Sequence, residues 1–159
     1  MRREMLRNRE IIPPLTLHGL DGRTIRASDF KQKKNLAIVF LHVGCAECEE
    51  FLVRIARESP LWKSYGAVVL AALLSLPARR MADLLPENVV AGVDASGRGA
   101  NAYLGREMLA PAGEDRLGVF VADRYGELYA KWEIGPGHDF PATKAIAAKL
   151  ELIEMACDE

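Results

Sequence analysis

The sequence has little of several features that define other classes of protein. Only three of its 159 residues are cysteines, 7% are aromatic, and the formal net charge is −1. Three cysteines are too few for a structural disulfide framework. A nearly balanced charge gives no electrostatic argument for a nucleic-acid or membrane-surface partner. We therefore expect neither kind of partner.

Long hydrophobic runs are also lacking. The longest apolar stretches, LAIVFL and GAVVLAALLSL, are too short to span a bilayer. The first ten residues, MRREMLRNRE, are highly charged and have no apolar core of the kind that a signal peptide needs. We expect a cytoplasmic protein in which residues 1–10 form an N-terminal arm or a helix.

The composition is that of a globular chain. Half of the residues are hydrophobic and 27% are charged, which argues against disorder. A chain of this length can bury a core without help from disulfides or metals. We predict a single domain that spans residues 1–159.

Three apolar runs predict buried strands, at residues 36–43, 67–74 and 117–122. Continuous runs rich in β-branched residues are typical of strands covered on both faces. Apolar residues after Cys45 recur at helical spacing, which predicts a helix that begins within about two residues of Cys45. Pro60 is predicted to end it.

The other elements complete an α/β pattern. A hairpin is predicted around the Asp-Gly turn in PPLTLHGLDGRTIRASDF, because Asp-Gly favours tight turns. Short helices are predicted in PARRMADLLPEN and GRGANAYLG, a brief strand in VVAGVD, an antiparallel strand in LYAKWEIG and a last helix at residues 141–156. The order predicts an α/β sandwich, with a central mixed sheet flanked by helices and an N-terminal β-hairpin.

Cys45 and Cys48 form a C-x-x-C at the predicted helix start. The thiolate is the reactive form of cysteine, and the unpaired N–H groups and dipole at a helix N-terminus stabilise it. Cys45 is nearer the terminus and more exposed, so we predict that it attacks a disulfide or peroxide. Cys48, one turn along, would resolve the product. Glu47, Glu49 and Glu50 add negative charge that opposes a thiolate, which favours a more reducing pair.

Two other interpretations of the cysteines stay open. They could be buried thiols without chemistry, or they could bind a metal together with His42 and Cys157. The metal hypothesis has no second C-x-x-C or H-x-x-x-H to complete the four ligands that structural zinc sites commonly use. His42, three residues before Cys45, is a candidate general base, although it could also simply fill the end of a strand.

Four segments, in order, carry a resemblance to a known family: PPLTLHGLDGRTIRASDF, NLAIVFLHVGCAEC, VDASGRGANAYL and GVFVADRYGEL. In this order the chain resembles the thioredoxin-like superfamily. It looks most like the redoxin branch, which includes AhpC/TSA (peroxiredoxin-like) proteins and TlpA/ResA-type thiol-disulfide oxidoreductases. The resemblance implies a thioredoxin-like sandwich whose strand 36–43 delivers the active-site cysteines.

The chain departs from the family patterns at several positions near the cysteines. Gly44 stands where thioredoxins and TlpA-like proteins usually have tryptophan, and Leu117 stands at about the place of their cis-proline. Leu41 and His42 replace the proline and threonine of the peroxiredoxin motif. Arg116 lies near the place of the peroxiredoxin arginine and is a candidate stand-in. These departures predict slow disulfide exchange that still outweighs peroxide reduction.

The resemblance implies a thiol-disulfide oxidoreductase that cycles Cys45 and Cys48. A peroxiredoxin-like thiol peroxidase and a thioredoxin-fold protein with silent cysteines are the alternatives. The substrate would be a protein or small-molecule disulfide, or a peroxide. Electrons would come from a protein or a low-molecular-weight thiol, and neither an organic cofactor nor a resident metal is implied.

Overall fold

The structure is a computed structural model. It describes residues 7–44, 46–73, 83, 85–94, 97–105, 117–134 and 139–157. The strands are β1 (Thr16–Gly19), β2 (Thr24–Arg26), β3 (Asn35–Leu41), β4 (Ala67–Leu73), β5 (Val89–Val93), β6 (Leu117–Ala122) and β7 (Leu128–Ile134). The helices are α1 (Ala46–Lys63), α2 (Arg98–Leu104) and α3 (Thr143–Cys157), with a short 3₁₀ helix at Ala27–Phe30.

The strands form one mixed sheet in the order β2-β1-β5-β4-β3-β6-β7. Strand β3 pairs in parallel with β4 along its whole length and antiparallel with β6 on its other side. β7 pairs antiparallel with β6. The predicted strands at 36–43, 67–74 and 117–122 are therefore confirmed inside the sheet, and so is the α/β sandwich.

The two faces of β3 supply two separate hydrophobic clusters. Successive strand residues point to opposite faces of a sheet. Ala37 and Val39 accordingly pack in the cluster that contains the buried stripes of α1 and α3. Ile38 and Phe40 pack in the other cluster, with α2 and the N-terminal hairpin. Continuous burial explains why β3 shows an unbroken apolar run instead of alternation.

Most predicted boundaries agree with the structure within two residues. The last helix, predicted at 141–156, runs over Thr143–Cys157, and its predicted stripe of Ile146, Leu150 and Ile153 is buried. The hairpin, the VVAGVD strand, the GRGANAYLG helix and the LYAKWEIG strand are also present. Most of the PARRMADLLPEN helix lies outside the described residues.

The N-terminal segment runs beside the start of β7. Residues 1–6 lie outside the described residues, and residues 7–10 form a turn, so that no helix is seen there. The Arg9 N–H donates to the Leu128 carbonyl at 2.7 Å, and the Ile12 N–H donates to the Gly126 carbonyl at 2.8 Å. These bonds fix the arm against the sheet from Arg9 onward.

A polar cluster ties together the end of the sheet away from the cysteines. Asn35 is fully buried, and its Nδ2 donates to the Tyr65 carbonyl at 2.9 Å and to Glu154 Oε2 at 2.8 Å. Arg124 Nη2 donates to the same Glu154 oxygen at 2.7 Å. A Cβ at Gly66 would lie 2.6 Å from that oxygen. The cluster therefore joins β3, the β6–β7 turn and α3, and the φ of +67° at Gly66 favours glycine there.

Pro60 does not end α1, contrary to the sequence prediction. The helix continues to Lys63 with Pro60 inside it. Proline has no N–H to give the carbonyl four residues earlier, here that of Ala56. The buried Ser59 hydroxyl donates to this Ala56 carbonyl at 3.0 Å. The side chain supplies the hydrogen bond that proline cannot make, and packing of the helix against the sheet overrides the local stop signal.

We predict that Ser59→Ala destabilises the protein by about 1 kcal/mol, because it removes the part-buried hydrogen bond to the Ala56 carbonyl. The measurement is the free energy of unfolding in denaturant. Ser64→Ala is the matched control, since the Ser64 hydroxyl also donates to a carbonyl three residues earlier, that of Leu61, but is exposed. Equal effects of the two substitutions would contradict the compensating role of Ser59.

Candidate active site at the start of helix α1

A tight turn joins the central strand to the first helix. β3 ends at the buried Leu41, and α1 begins at Ala46, which confirms a helix start within two residues of Cys45. Gly44 has a φ of +91°, and a Cβ there would meet nothing within 4 Å. The requirement for glycine is therefore one of backbone conformation and not of space. A tryptophan with this φ would be strained.

Cys48 is held in the first turn of α1 by the core. Its exposed fraction is 1%, and it belongs to the same hydrophobic cluster as Leu41, Phe51 and Leu52. The prediction that Cys45 is the more exposed of the two cysteines stays a prediction, because Cys45 lies outside the described residues. A sulfur this deeply buried cannot meet a bulky external disulfide without an opening of the structure.

The other cysteine positions stay predictions. Cys45 and Arg116 lie outside the described residues. Cys157 is the last residue of α3, but its side chain also lies outside the described part. In the sequence Cys45 lies directly between Gly44 and Ala46, and the structure describes both of these neighbours.

His42 follows β3 directly and is half-buried. Its assignment as a general base stays a prediction. Within the described residues, no group of three or more histidine, cysteine, aspartate or glutamate side chains could hold a metal ion. This finding does not reach the hypothetical His42–Cys45–Cys48 site, because Cys45 is not among those residues.

The first turns of α1 are acidic. Glu47 and Glu50 are exposed, and Glu49 is half-buried. Their position suits the positive end of the helix dipole. The same residues flank Cys48 in the sequence, so a partner that approaches this end of the helix meets negative charge that salt partly screens.

The loop before α3 is fastened to α1 one turn beyond Cys48. The rings of Phe51 and Phe140 stack with centroids 4.4 Å apart and an interplanar angle of 20°. The Arg54 guanidinium lies 5.5 Å from the centroid of the Phe51 ring. Thr143 Oγ1 donates to Glu58 Oε2. The sequence analysis did not predict the Phe51–Phe140 stack, because no local pattern pairs two phenylalanines so far apart in the chain.

Leu117 occupies the first position of β6 and does not imitate an exposed cis-proline. It is 1% exposed and pairs with Ile134 of β7. No cis peptide bond occurs among the residues that the structure describes.

Within the described residues, no helix is both long and apolar enough to cross a membrane.

Comparison with solved structures identifies the fold as thioredoxin-like. The thioredoxin domain of a thiol-disulfide oxidoreductase from Bacteroides vulgatus has a TM-score of 0.66 at 14% identity, over 93% of this chain and 99% of that one. The mitochondrial 2-Cys peroxiredoxin of Plasmodium falciparum has a TM-score of 0.74 at 12% identity, over 96% and 97%. Yeast mitochondrial 1-Cys peroxiredoxin has a TM-score of 0.75 at 12% identity, over 98% and 79%.

These similarities concern the fold, since all three identities are far below the level at which an activity could be transferred. No protein-family model matches the sequence. A search of curated proteins found no match either. Thiol-disulfide oxidoreductases and peroxiredoxins share this fold, so the fold alone does not choose between the two activities.

We predict that the Cys48 thiol is protected in the native protein. In a Cys45→Ser/Cys157→Ser variant, Cys48 is the sole thiol, and its reaction with a maleimide should be on the order of a hundredfold slower in native buffer than in denaturant. The reaction is followed by mass spectrometry. A Cys48→Ser/Cys157→Ser variant, which keeps Cys45, serves as the comparison and should react faster. Equal native and denatured rates for Cys48 would contradict its burial.

Proposed function

We propose that the chain is a thiol-disulfide oxidoreductase that cycles Cys45 and Cys48 between dithiol and disulfide. The observation that carries the proposal is the place of Cys48: a buried thiol in the first turn of the helix that follows the central strand. Its neighbour in the C-x-x-C immediately precedes that helix in the sequence. The thioredoxin-like fold supports the same assignment.

The proposed reaction has two exchange steps. The Cys45 thiolate attacks one sulfur of a substrate disulfide, which forms a mixed disulfide and releases the other substrate sulfur as a thiolate. The Cys48 sulfur, as thiolate, then attacks the Cys45 sulfur. This forms the Cys45–Cys48 disulfide and releases the second substrate thiol. Two electrons have passed to the substrate, and a dithiol protein or two small thiols would restore the pair.

The burial of Cys48 supports this division of roles. Cys45 is placed by the sequence at the helix N-terminus, where N–H groups without helical partners favour a thiolate. Cys48, at 1% exposure, is suited to react only with a sulfur brought to it by the chain. The glutamates of the first turns disfavour negative charge at the same place. The cysteine pair should therefore be more reducing than a pair whose thiolate is stabilised.

Peroxide reduction is the second candidate, and the likeness to peroxiredoxin structures favours it. That activity needs hydrogen-bond donors aimed at the charge that develops on the peroxide. His42 stands in place of the threonine of the peroxiredoxin motif, and the buried Leu41 stands in place of its proline. Disulfide exchange needs only a thiolate, an accessible sulfur and a resolving thiol, so the same site suits exchange better.

We expect the purified protein to lose two thiols on oxidation and to regain both on reduction. Cys45→Ser should abolish disulfide reduction, whereas Cys48→Ser should trap a mixed disulfide on Cys45, detectable by mass spectrometry. Cys157→Ser is the matched control and should cycle normally. Trapping through Cys48 in the Cys45→Ser variant would reverse the roles. Stoichiometric zinc that is lost in Cys48→Ser would replace the redox proposal by the metal hypothesis.

We expect disulfide exchange to have the larger second-order rate constant when both activities are measured with the same reductant. The substrates are insulin, or a small model disulfide, and hydrogen peroxide. A faster reaction with peroxide would establish the peroxidase activity instead. If neither rate exceeds that of free dithiothreitol, the cysteines are silent. The redox-inactive Cys45→Ser variant gives the background for both assays.

A further inference from the structure

An apolar groove of about 250 Å³ opens at the end of β3 opposite to Cys48. Leu36, near the start of β3, forms part of its lining, whereas the cysteine turn follows Leu41 at the other end. Five residues of strand separate these two leucines by roughly 17 Å. The groove is therefore distinct from the proposed redox site.

Hydrogen bonds to backbone carbonyls hold the walls of this groove in place. On one side, the Ile12 N–H donates to the Gly126 carbonyl at 2.8 Å. The hydroxyl of the buried Tyr103 donates to the Pro13 carbonyl at 2.8 Å. On the other side, the Gln32 N–H donates to the Arg124 carbonyl at 2.6 Å. These hydrogen bonds fix the positions of the cavity walls, as is usual for small-molecule sites.

The mouth of the groove exposes apolar surface next to strained backbone. Ile11 and Tyr125, both on the lining, are 65% and 56% exposed. Gln32, beside the lining residue Lys31, has a φ of +65°. Exposed apolar side chains around a concavity and residues held at positive φ both occur preferentially at binding sites.

The charge of the rim is positive. Lys31 and Lys34 line the groove and are exposed. Among the described residues, neither lysine has a carboxylate partner within 4 Å. Asp123 is the one carboxylate among the described lining residues; it is 5% exposed, and its Oδ1 already accepts the N–H groups of Tyr125 and Glu127. An anion at the rim would therefore meet two lysines and little opposing charge.

We propose that this groove binds a small apolar carboxylate of about the size of octanoate. The apolar body lies against Leu36, Ala27 and Phe30, and the carboxylate lies at Lys31 and Lys34. The volume of about 250 Å³ is below the roughly 300–1,000 Å³ of sites for drug-sized ligands and matches a short chain. A concave groove with an apolar lining and two lysines at its rim fits a small molecule better than the surface of another protein. The proposal does not depend on the redox chemistry.

The experiment is a titration of the full chain with octanoate, followed by amide chemical shifts in ¹H–¹⁵N spectra. Saturable shifts should concentrate at the groove, around Lys31, Tyr125 and Gly126, and should be absent near Cys48. Methyl octanoate, which has the same chain without the charge, should bind more weakly. Shifts that are unsaturable, or that are spread over the surface, would overturn the proposal in favour of non-specific detergent-like association.

Matched lysine variants test the rim. Lys31→Gln/Lys34→Gln should weaken octanoate binding roughly three- to tenfold, as expected for two exposed charge contacts. Lys33→Gln/Lys149→Gln removes the same charge from exposed lysines that do not line the groove and should leave binding unchanged. Equal weakening by both pairs, or by neither, would overturn the assignment of the carboxylate to this rim.

An occluding variant tests the apolar part. Ser28→Trp adds a ring to the groove wall, at a residue that is exposed in the protein, and should abolish the octanoate-dependent shifts while the remainder of the spectrum is kept. Retention of full affinity in this variant would show that octanoate binds elsewhere. Both lysine pairs and Ser28→Trp should keep the disulfide-exchange activity of the unmodified chain.

Discussion

The burial of β3 on both faces, together with pairing along both of its edges, is the constraint on which the structure depends. All seven of its residues are buried, and it lies between β4 and β6. Its register is therefore fixed, because a shift by one residue would exchange the sets that face the two cores. Since β3 cannot shift, the turn at Gly44 and the start of α1 occur at a defined place. The same packing that buries Phe51 and Ile55 also buries Cys48, one turn before Phe51. The position of the buried thiol is a consequence of core formation.

Sequence reasoning predicted this frame well, for identifiable physical reasons. Long apolar runs and helical periodicity are strong local signals, and the boundaries of β3, β4 and β6 lie within two residues of those predicted. Where the prediction was wrong, the structure was determined by a contact that the local sequence does not reveal. At Pro60 the missing hydrogen bond is replaced by the Ser59 hydroxyl, and the packing of α1 on the sheet exceeds the local cost of proline. The Phe51–Phe140 stack and the groove beside Leu36 are likewise formed by segments distant in the chain.

The departures from the family patterns have different physical origins. Gly44 is required by a positive φ, so the tryptophan of thioredoxins is excluded by the backbone of this particular turn. Leu117 instead packs in the core. It is buried, and its strand, β6, lies between β3 and β7. A side chain committed to the core cannot also form an exposed docking surface for a substrate. The candidate site could be located from sequence by the C-x-x-C and its place before a helix, but the reasons for these replacements required the backbone.

Burial of Cys48 has a kinetic consequence for the proposed cycle. A thiolate at this position would lose much of its hydration, and the glutamates of the first turns add unfavourable charge around it. Attack by Cys48 is therefore best matched to the moment when Cys45 carries a mixed disulfide: the Cys45–substrate S–S bond breaks as the Cys45–Cys48 bond forms, and the high effective concentration of a sulfur in the same chain offsets the cost of ionisation. Premature reaction with external disulfides is suppressed by the same burial. In the proposed cycle the acidic first turn and the buried thiol thus act together. Both favour resolution of a mixed disulfide on Cys45 over attack by Cys48 on an outside partner.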